Sequence, residues 1–555
     1  MKKRPEYSEQ FFNLRRFSYY YPRTPQPALR QVSLEILEGE FVLLMGRSGS
    51  GKSTLAKVLC GLVPDFYGGD MDGEILYQGI PLAQWPKSRL AEEIGIVFQD
   101  PDKQLLYKNV ERDIAFGLEN LGFDNALMQR RVAEMMDFLD LNGLRRRDSR
   151  LISGGERQKI ALAGVLAMNP KVLILDEPTS QLDPVAASEF LALIRDLNQE
   201  WGITIILIEQ RLDKAFVMAD RVMVMEAGEV VFQGGGREQL RWARNEDYPL
   251  LPGIPAMFAA GLKNEEAPLT IKEGRKMLKA IGADIVALPE KKRCSEPDLN
   301  LGEPLLEINR LSFSYANDVP AIRELSLQVW PGECIALIGS NGAGKSTLLQ
   351  IIAGLLSGYR GHIRVGAVSG KKLKPENLQH QLAYLPQNLE DFFLADTVIQ
   401  DILLAGKQEA TSEFWLKVMN LQQYREHDPR KLSTGEKQRA ALAAILAADP
   451  ALILLDEPTT GVDREHKREL GALLSNLCRQ QKTIFLVTHD IDFASECAGR
   501  IVFMHDGRIL AEGPADEQIP GNIFYASQAA RLFRPFDRRV INEAQAVERI
   551  GRIRN

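Results

Sequence analysis

Short uninterrupted apolar runs alternate with segments of helical period along this chain, and the alternation occurs twice. FVLLM (41–45) and CIALI (334–338) each run into a glycine-rich stretch, as a strand feeding a loop does. VLIL before Asp176, LILL before Asp456, TIILI from Thr204 and TIFLV from Thr483 are further strand-like runs. Between them lie helical patterns such as NALMQRRVAEMMDFLDL (125–141). Such alternation predicts an α/β fold with a mostly parallel sheet in each half. More than a hundred residues, rich in helical patterns, separate the glycine-rich loop of each half from its later acidic strand end. They predict a helical subdomain inserted in each core.

The halves are copies. GRSGSGKST starts at Gly46 and GSNGAGKST at Gly339. TIILIEQRLDKA and TIFLVTHDIDFA align without gaps. In both halves a Ser precedes the acidic strand end by 23 residues, Ser153 before Asp176 and Ser433 before Asp456. Self-similarity of this kind marks a tandem duplication, with a first unit at 1–235 and a second at 304–515. Residues 236–303 read as a small extension, helical around IKEGRKMLKAIG, followed by a linker. Residues 516–555 read as a basic, helix-compatible tail.

Composition narrows the classes. A chain of 555 residues suits two to four domains, and 45% hydrophobic with 26% charged residues is ordinary globular composition. A net charge of −6 gives no global case for binding nucleic acid. The five Cys are odd in number and form no CxxC, which argues against a disulfide framework or a zinc site and for a reducing compartment. No stretch of 18 apolar residues lacks a charge, so no membrane-spanning helix is expected and another chain must supply any membrane part. No signal peptide is evident. The six His all lie at or after His362.

The pattern GxxxxGK[ST] is a phosphate cradle. Its glycines (Gly46, Gly49, Gly51; Gly339, Gly342, Gly344) let backbone N–H groups turn inward, and the helix that follows adds positive potential. Lys52 and Lys345 are expected to reach the β/γ-phosphates, Ser53 and Ser346 to hold Mg²⁺, with Thr54 and Thr347 beside them. Asp176 and Asp456 are placed to bind Mg²⁺ through water, and Glu177 and Glu457 to orient or deprotonate the attacking water.

Together these motifs resemble the ATP-binding cassette (ABC) family over most of both copies. The resemblance implies two tandem P-loop cassettes that hydrolyse ATP with Mg²⁺. It makes Gln99 and Gln387 sensors of Mg²⁺ and γ-phosphate. ISGGE (Ser153, Gly154, Gly155) and LSTGE (Ser433, Thr434, Gly435) match the family signature LSGGQ, and Asp183 and Asp463 close the loop after each LDEP. An aromatic upstream of the first strand stacks on adenine in the family. Tyr21 and Tyr315 match, with Tyr19 and Tyr20 as rivals for the first. The family packs cassettes head to tail, so one chain per transporter is expected to close on itself.

The resemblance also implies unequal sites. His489 fits the family's γ-phosphate histidine, but Gln210 stands at the aligned position of the first copy. A Gln amide brings no charge, and charge-assisted hydrogen bonds are about twice as strong as neutral ones. Thr434 replaces a signature Gly that would permit close approach and positive φ. In head-to-tail pairing both departures fall in one composite site. The site built on Lys345, Glu457, His489 and Ser153 is therefore expected to hydrolyse faster.

The stretch DPDKQLLYKNVERDIAFGLENLG after Gln99 resembles the ATPases of energy-coupling factor (ECF) importers. That implies a transmembrane coupling subunit, a substrate-specificity membrane subunit, and a place at the cytoplasmic face of the cell membrane. Asp100, Asp102, Lys103 and Gln104 are candidate contacts with the coupling subunit. The cargo would be a vitamin, a vitamin precursor, or a cobalt or nickel ion. Two alternatives are a duplicated-cassette sugar importer ATPase, whose second cassette is commonly the degraded one, and a soluble ribosome-associated ABC ATPase. The complete second copy and the proline-broken, mixed-charge joining segment count against them.

Overall fold

The computed structural model describes residues 10–145, 147–148, 152–246, 248–249, 251–262, 267–282, 303–315, 319–370, 373–378, 381–389, 392–406 and 408–554. The chain divides into two compact units, 1–256 and 257–555. The expected linker, from 283 to 302, lies outside the described residues.

The first unit carries strands β1 (Gln10–Tyr20), β2 (Leu29–Leu37), β3 (Phe41–Gly46), β4 (Asp70–Tyr77), β5 (Ile80–Pro81), β6 (Ile94–Val97), β7 (Val172–Asp176), β8 (Thr204–Ile208), β9 (Arg221–Glu226) and β10 (Glu229–Gly234). The main sheet runs β10-β9-β3-β8-β7-β6, parallel except for the antiparallel edge pair β9·β10. Every residue of β3, β7 and β8 is buried. That is why their sequences are unbroken apolar runs: a parallel sheet covered on both faces has no solvent side to alternate toward.

The second unit repeats the plan with β11 (Leu306–Tyr315), β12 (Val319–Val329), β13 (Cys334–Ile338), β14 (Arg360–Val365), β15 (Val368–Ser369), β16 (Leu382–Leu385), β17 (Leu452–Asp456), β18 (Thr483–Val487), β19 (Arg500–His505) and β20 (Arg508–Pro514). Its main sheet runs β16-β17-β18-β13-β19-β20, again parallel but for β19·β20.

Each unit also holds a four-stranded antiparallel sheet, β2-β1-β4-β5 and β12-β11-β14-β15, that the apolar runs do not announce. Buried and exposed positions largely alternate along β2, and β4 is exposed over its first five residues, so neither presents a continuous apolar signal. Tyr21 and Tyr315 therefore lie at the end of a strand, not upstream of the first one.

The helical insert is narrower than the hundred-residue span suggested. It lies between β6 and β7 as helices Val110–Asn120, Asn125–Phe138 and Gly154–Leu166, and between β16 and β17 as Val398–Gly406, Glu409–Val418 and Thr434–Ala447. The helix in NALMQRRVAEMMDF starts where the Asp124 carboxylate accepts from Leu127 N, a normal N-cap.

The extension does not stand alone. Helix Gly236–Asn245 packs on β10, with the Trp242 and Phe232 rings 5.1 Å apart. Helix Ile271–Ala280 packs on the tail, where Arg275 donates to the carbonyls of Arg531 and Leu532. Tail helix Glu543–Arg554 is held to helix Arg464–Arg479 through Glu543, which accepts from both Arg464 and Arg468. Among the described residues no helix is long and apolar enough to cross a membrane.

Candidate active site

Each phosphate loop joins a fully buried strand to an eight-residue helix, Lys52–Leu59 or Lys345–Ile352. Close packing explains the glycines. A Cβ at Gly46 would lie 2.3 Å from the Met225 carbonyl oxygen, and one at Gly339 2.1 Å from that of Met504. Gly51 (φ 100°) and Gly344 (φ 98°) open the helices in a conformation that disfavours any side chain. The lysines fold back over their loops: Lys52 Nζ donates to the carbonyls of Gly46 (2.9 Å) and Arg47 (2.7 Å), Lys345 Nζ to those of Gly339 (3.0 Å) and Ser340 (2.9 Å).

Ser53 and Ser346, at the starts of the helices after β3 and β13, stand close enough to Asp176 and Asp456 at the ends of β7 and β17 to favour their ionised forms. In both units the second carboxylate oxygen, Oδ1, is buried without a hydrogen-bond partner. A buried unsatisfied acceptor calls for an explanation. A hard oxygen donor set with a spare acceptor fits Mg²⁺. Burial pushes the Asp456 carboxyl up to about 7 and raises Asp176 as well.

The adjacent glutamates differ between units. Both sit at positive φ, 48° for Glu177 and 51° for Glu457, directly after the strand. Glu457 faces His489: Nδ1 lies 2.7 Å from Oε2, and the His489 backbone N–H donates to the same oxygen at 3.2 Å. Glu177 is held by two neutral amides, Gln210 Nε2 at 2.6 Å and Gln99 Nε2 at 2.9 Å. The electrostatics follow. Burial pushes Glu177 up to about 7, with Asp176 and Glu209 adding to it. Burial acts on Glu457 too, but the His489 and Lys345 charges outweigh it and hold its carboxyl below the ordinary range.

Gln99 is thus bonded to Glu177, the glutamate after the acidic strand end of its unit. Gln387 is exposed on the loop after β16, whereas the side chain that meets Glu457 is His489. Tyr21 and Tyr315 both reach the end of the phosphate loop, their hydroxyls 3.2 Å and 3.0 Å from the Thr54 and Thr347 hydroxyls. Tyr19 is buried in the core with its hydroxyl on the Gly68 carbonyl.

The signature segments fold as helix starts. Ser153 and Glu156 form a capping box, as do Ser433 and Glu436, with both backbone N–H to carboxylate bonds at 2.8 Å. A Glu or a Gln at the third position satisfies the same geometry, which accounts for Glu where the family carries Gln. Gly154 opens its helix without positive φ, and Thr434 is the first residue of the corresponding helix. A Cβ at Gly154 would meet only the Gln181 carbonyl, at 3.8 Å. At Gly154 itself the packing leaves room for a side chain. Gly155 and Gly435 lie in the first turn. Asp183 and Asp463 are buried N-caps of helices Pro184–Trp201 and Arg464–Arg479.

Two site residues escaped the sequence reading. Glu209 is buried beside Gln210 and accepts from the Thr179 hydroxyl at 2.6 Å. Its aligned partner is Thr488, so the signal was present in TIILIEQ against TIFLVTH. Tyr384, aligned with Ile96, donates to Asp456 at 3.4 Å.

Two phosphate loops, each facing a buried acidic pair, define a nucleotide hydrolase built twice on one chain. The ABC transporter family matches residues 29–180 and 322–460, and the chain belongs to that family. It is an ATPase that binds ATP with Mg²⁺. A chain from Bacillus thuringiensis subsp. konkukian, provisionally named an ABC transporter ATP-binding protein, is 36% identical over 532 residues, covering 93% of this chain and 94% of its own length. One from Methanosarcina acetivorans with the same provisional name is 37% identical over 528 residues, covering 91% and 86%. The archaeal ribosome recycling factor aABCE1, solved with the stalk protein aP1, shares the fold at a TM-score of 0.56 and 22% identity, over 92% of this chain and 91% of its own.

Proposed function

We propose that this chain powers a membrane importer of the energy-coupling factor type, working at the cytoplasmic face of the membrane with a transmembrane coupling subunit and a separate specificity subunit. The observation that carries the reading is the loop after β6. Gln99 bonds the water-orienting Glu177, while Asp102 and Lys103 stand exposed a few residues on. A partner touching that loop acts one hydrogen bond from the glutamate. The same stretch carries the ECF-like motif. The cargo is a vitamin, a vitamin precursor, or a cobalt or nickel ion, selected by the specificity subunit.

In this reading Lys52 and Ser53 with Asp176, and Lys345 and Ser346 with Asp456, would hold Mg·ATP. Mg²⁺ supplies charge neutralisation on the phosphates. Glu177 and Glu457 orient water and take its proton. The domain plan stays as 1–235, 236–303, 304–515 and 516–555 in function. The second-cassette site turns over faster, because its glutamate is held by an imidazole able to carry charge rather than by amides.

Purifying the tagged chain from detergent-solubilised membranes tests this. Co-purification of two helical membrane proteins is expected. Recovery with ribosomes alone would overturn the importer reading.

A further inference from the structure

Glu209 stands 2% exposed at the end of β8 and collects three donors: the Thr179 hydroxyl (2.6 Å), the Gln210 N–H (2.9 Å) and the Arg211 N–H (3.1 Å). Thr179 lies two residues beyond Glu177. Arg211 in turn donates from Nη1 to the Leu182 carbonyl at 3.1 Å, just before Asp183. Glu209 and its neighbour Arg211 therefore tie the loop after β8 to the loop after β7 at two places.

The second unit needs no such tie. There the His489 ring and backbone N–H both address Glu457, and Thr488 only accepts from Asp490 N at 3.0 Å. In the first unit the Gln210 N–H is turned to Glu209, so Gln210 holds Glu177 through its long amide side chain only, at 2.6 Å, beside the Gln99 amide at 2.9 Å. Gln has more rotatable bonds than His and loses more freedom when fixed. Its backbone must be anchored for the amide to stay on target.

We infer that Glu209 is a positioning residue for ATP hydrolysis in the first unit, acting through Gln210 on Glu177, and that Glu209–Gln210 and Thr488–His489 are exchanged as pairs. The inference rests on the reading of Glu177 as the water-orienting group.

The test uses the full chain carrying Glu457→Gln, so that residual hydrolysis reports the first unit. Glu209→Thr is expected to lower kcat roughly ten- to hundredfold, since a misplacement near 1 Å costs on that order. KM for ATP stays unchanged, and the kcat loss exceeds any change in the folded fraction at the assay temperature. Glu209→Gln, which keeps an acceptor for both N–H groups, retains most of the rate. Gln210→Ala lowers kcat by itself but adds nothing to Glu209→Thr, and Glu209→Thr with Gln210→His together restores the rate. Multiplying effects of Glu209→Thr and Gln210→Ala would overturn the inference. So would a kcat loss that tracks a raised KM or a lowered folded fraction, or an unchanged rate in Glu209→Thr where Glu177→Gln abolishes activity. An unchanged rate in Glu177→Gln itself would sink the reading of Glu177 and this inference with it.

Discussion

The His489 ring lies 2.7 Å from the Glu457 carboxylate, both side chains almost fully buried, and no imidazole stands in that place in the first unit. A hydrogen bond to a charged group contributes about 1.5–3 kcal/mol. His489→Ala is expected to cut total ATPase about ten- to hundredfold, and Gln210→Ala to cut it much less. Steady-state phosphate release measures both. Equal losses would remove the asymmetry between units, as would equal losses from Glu457→Gln and Glu177→Gln.

Two glycines of one loop separate packing from conformation. Gly339→Ala forces a methyl to 2.1 Å from the Met504 carbonyl oxygen, whereas Gly342 (φ 78°) has nothing within 4 Å. Overpacking against immovable backbone costs about 1–3 kcal/mol or more, so Gly339→Ala is expected to weaken binding of a fluorescent ATP analogue by at least about tenfold. Gly342→Ala incurs only the left-handed penalty of about 1–2 kcal/mol and lowers Tm with little loss of binding.

The capping box makes a chemical prediction about the second signature. Glu436→Gln preserves the bond from Ser433 N, and Glu436→Ala removes it. Loss of a cap destabilises a helix start by about 1 kcal/mol. Amide hydrogen exchange in the first turn of Thr434–Ala447 is expected to quicken several-fold in the Ala variant and stay unchanged in the Gln variant.

Docking of the tail is acid-sensitive. Burial alone would raise the Glu543 carboxyl, but Arg464 and Arg468 outweigh it and hold it below the ordinary range. A carboxyl lowered on folding stabilises fully above its unfolded value, about 4.3, and that contribution disappears as pH falls through the folded value. Limited proteolysis of helix Glu543–Arg554 is expected to accelerate below about pH 4. Glu543→Gln should make the helix comparably labile at pH 7. Resistance of that variant at pH 7 would show that the ion pairs do not hold the tail.

Contiguous stretches of sequence sufficed for both phosphate loops, both acidic strand ends and both signature starts. In each of these the chemistry depends on neighbouring residues: glycines that let the chain turn, a Ser and a Glu three apart that cap a helix, a carboxylate at the end of an apolar strand. The duplication and the exchange of His489 for Gln210 were legible for the same reason. Folding alone decided what touches Glu177. Gln99 comes from 78 residues away, Glu209 reaches Thr179 across 30, and Tyr384 reaches Asp456 across 72. Those contacts depend on strand order, β6 beside β7 beside β8 and β16 beside β17, which no local pattern encodes. The antiparallel sheets and the tail's hold on Arg464 and Arg468 arise in the same way, from half-buried strands and long-range ion pairs whose partners the chain meets only once folded.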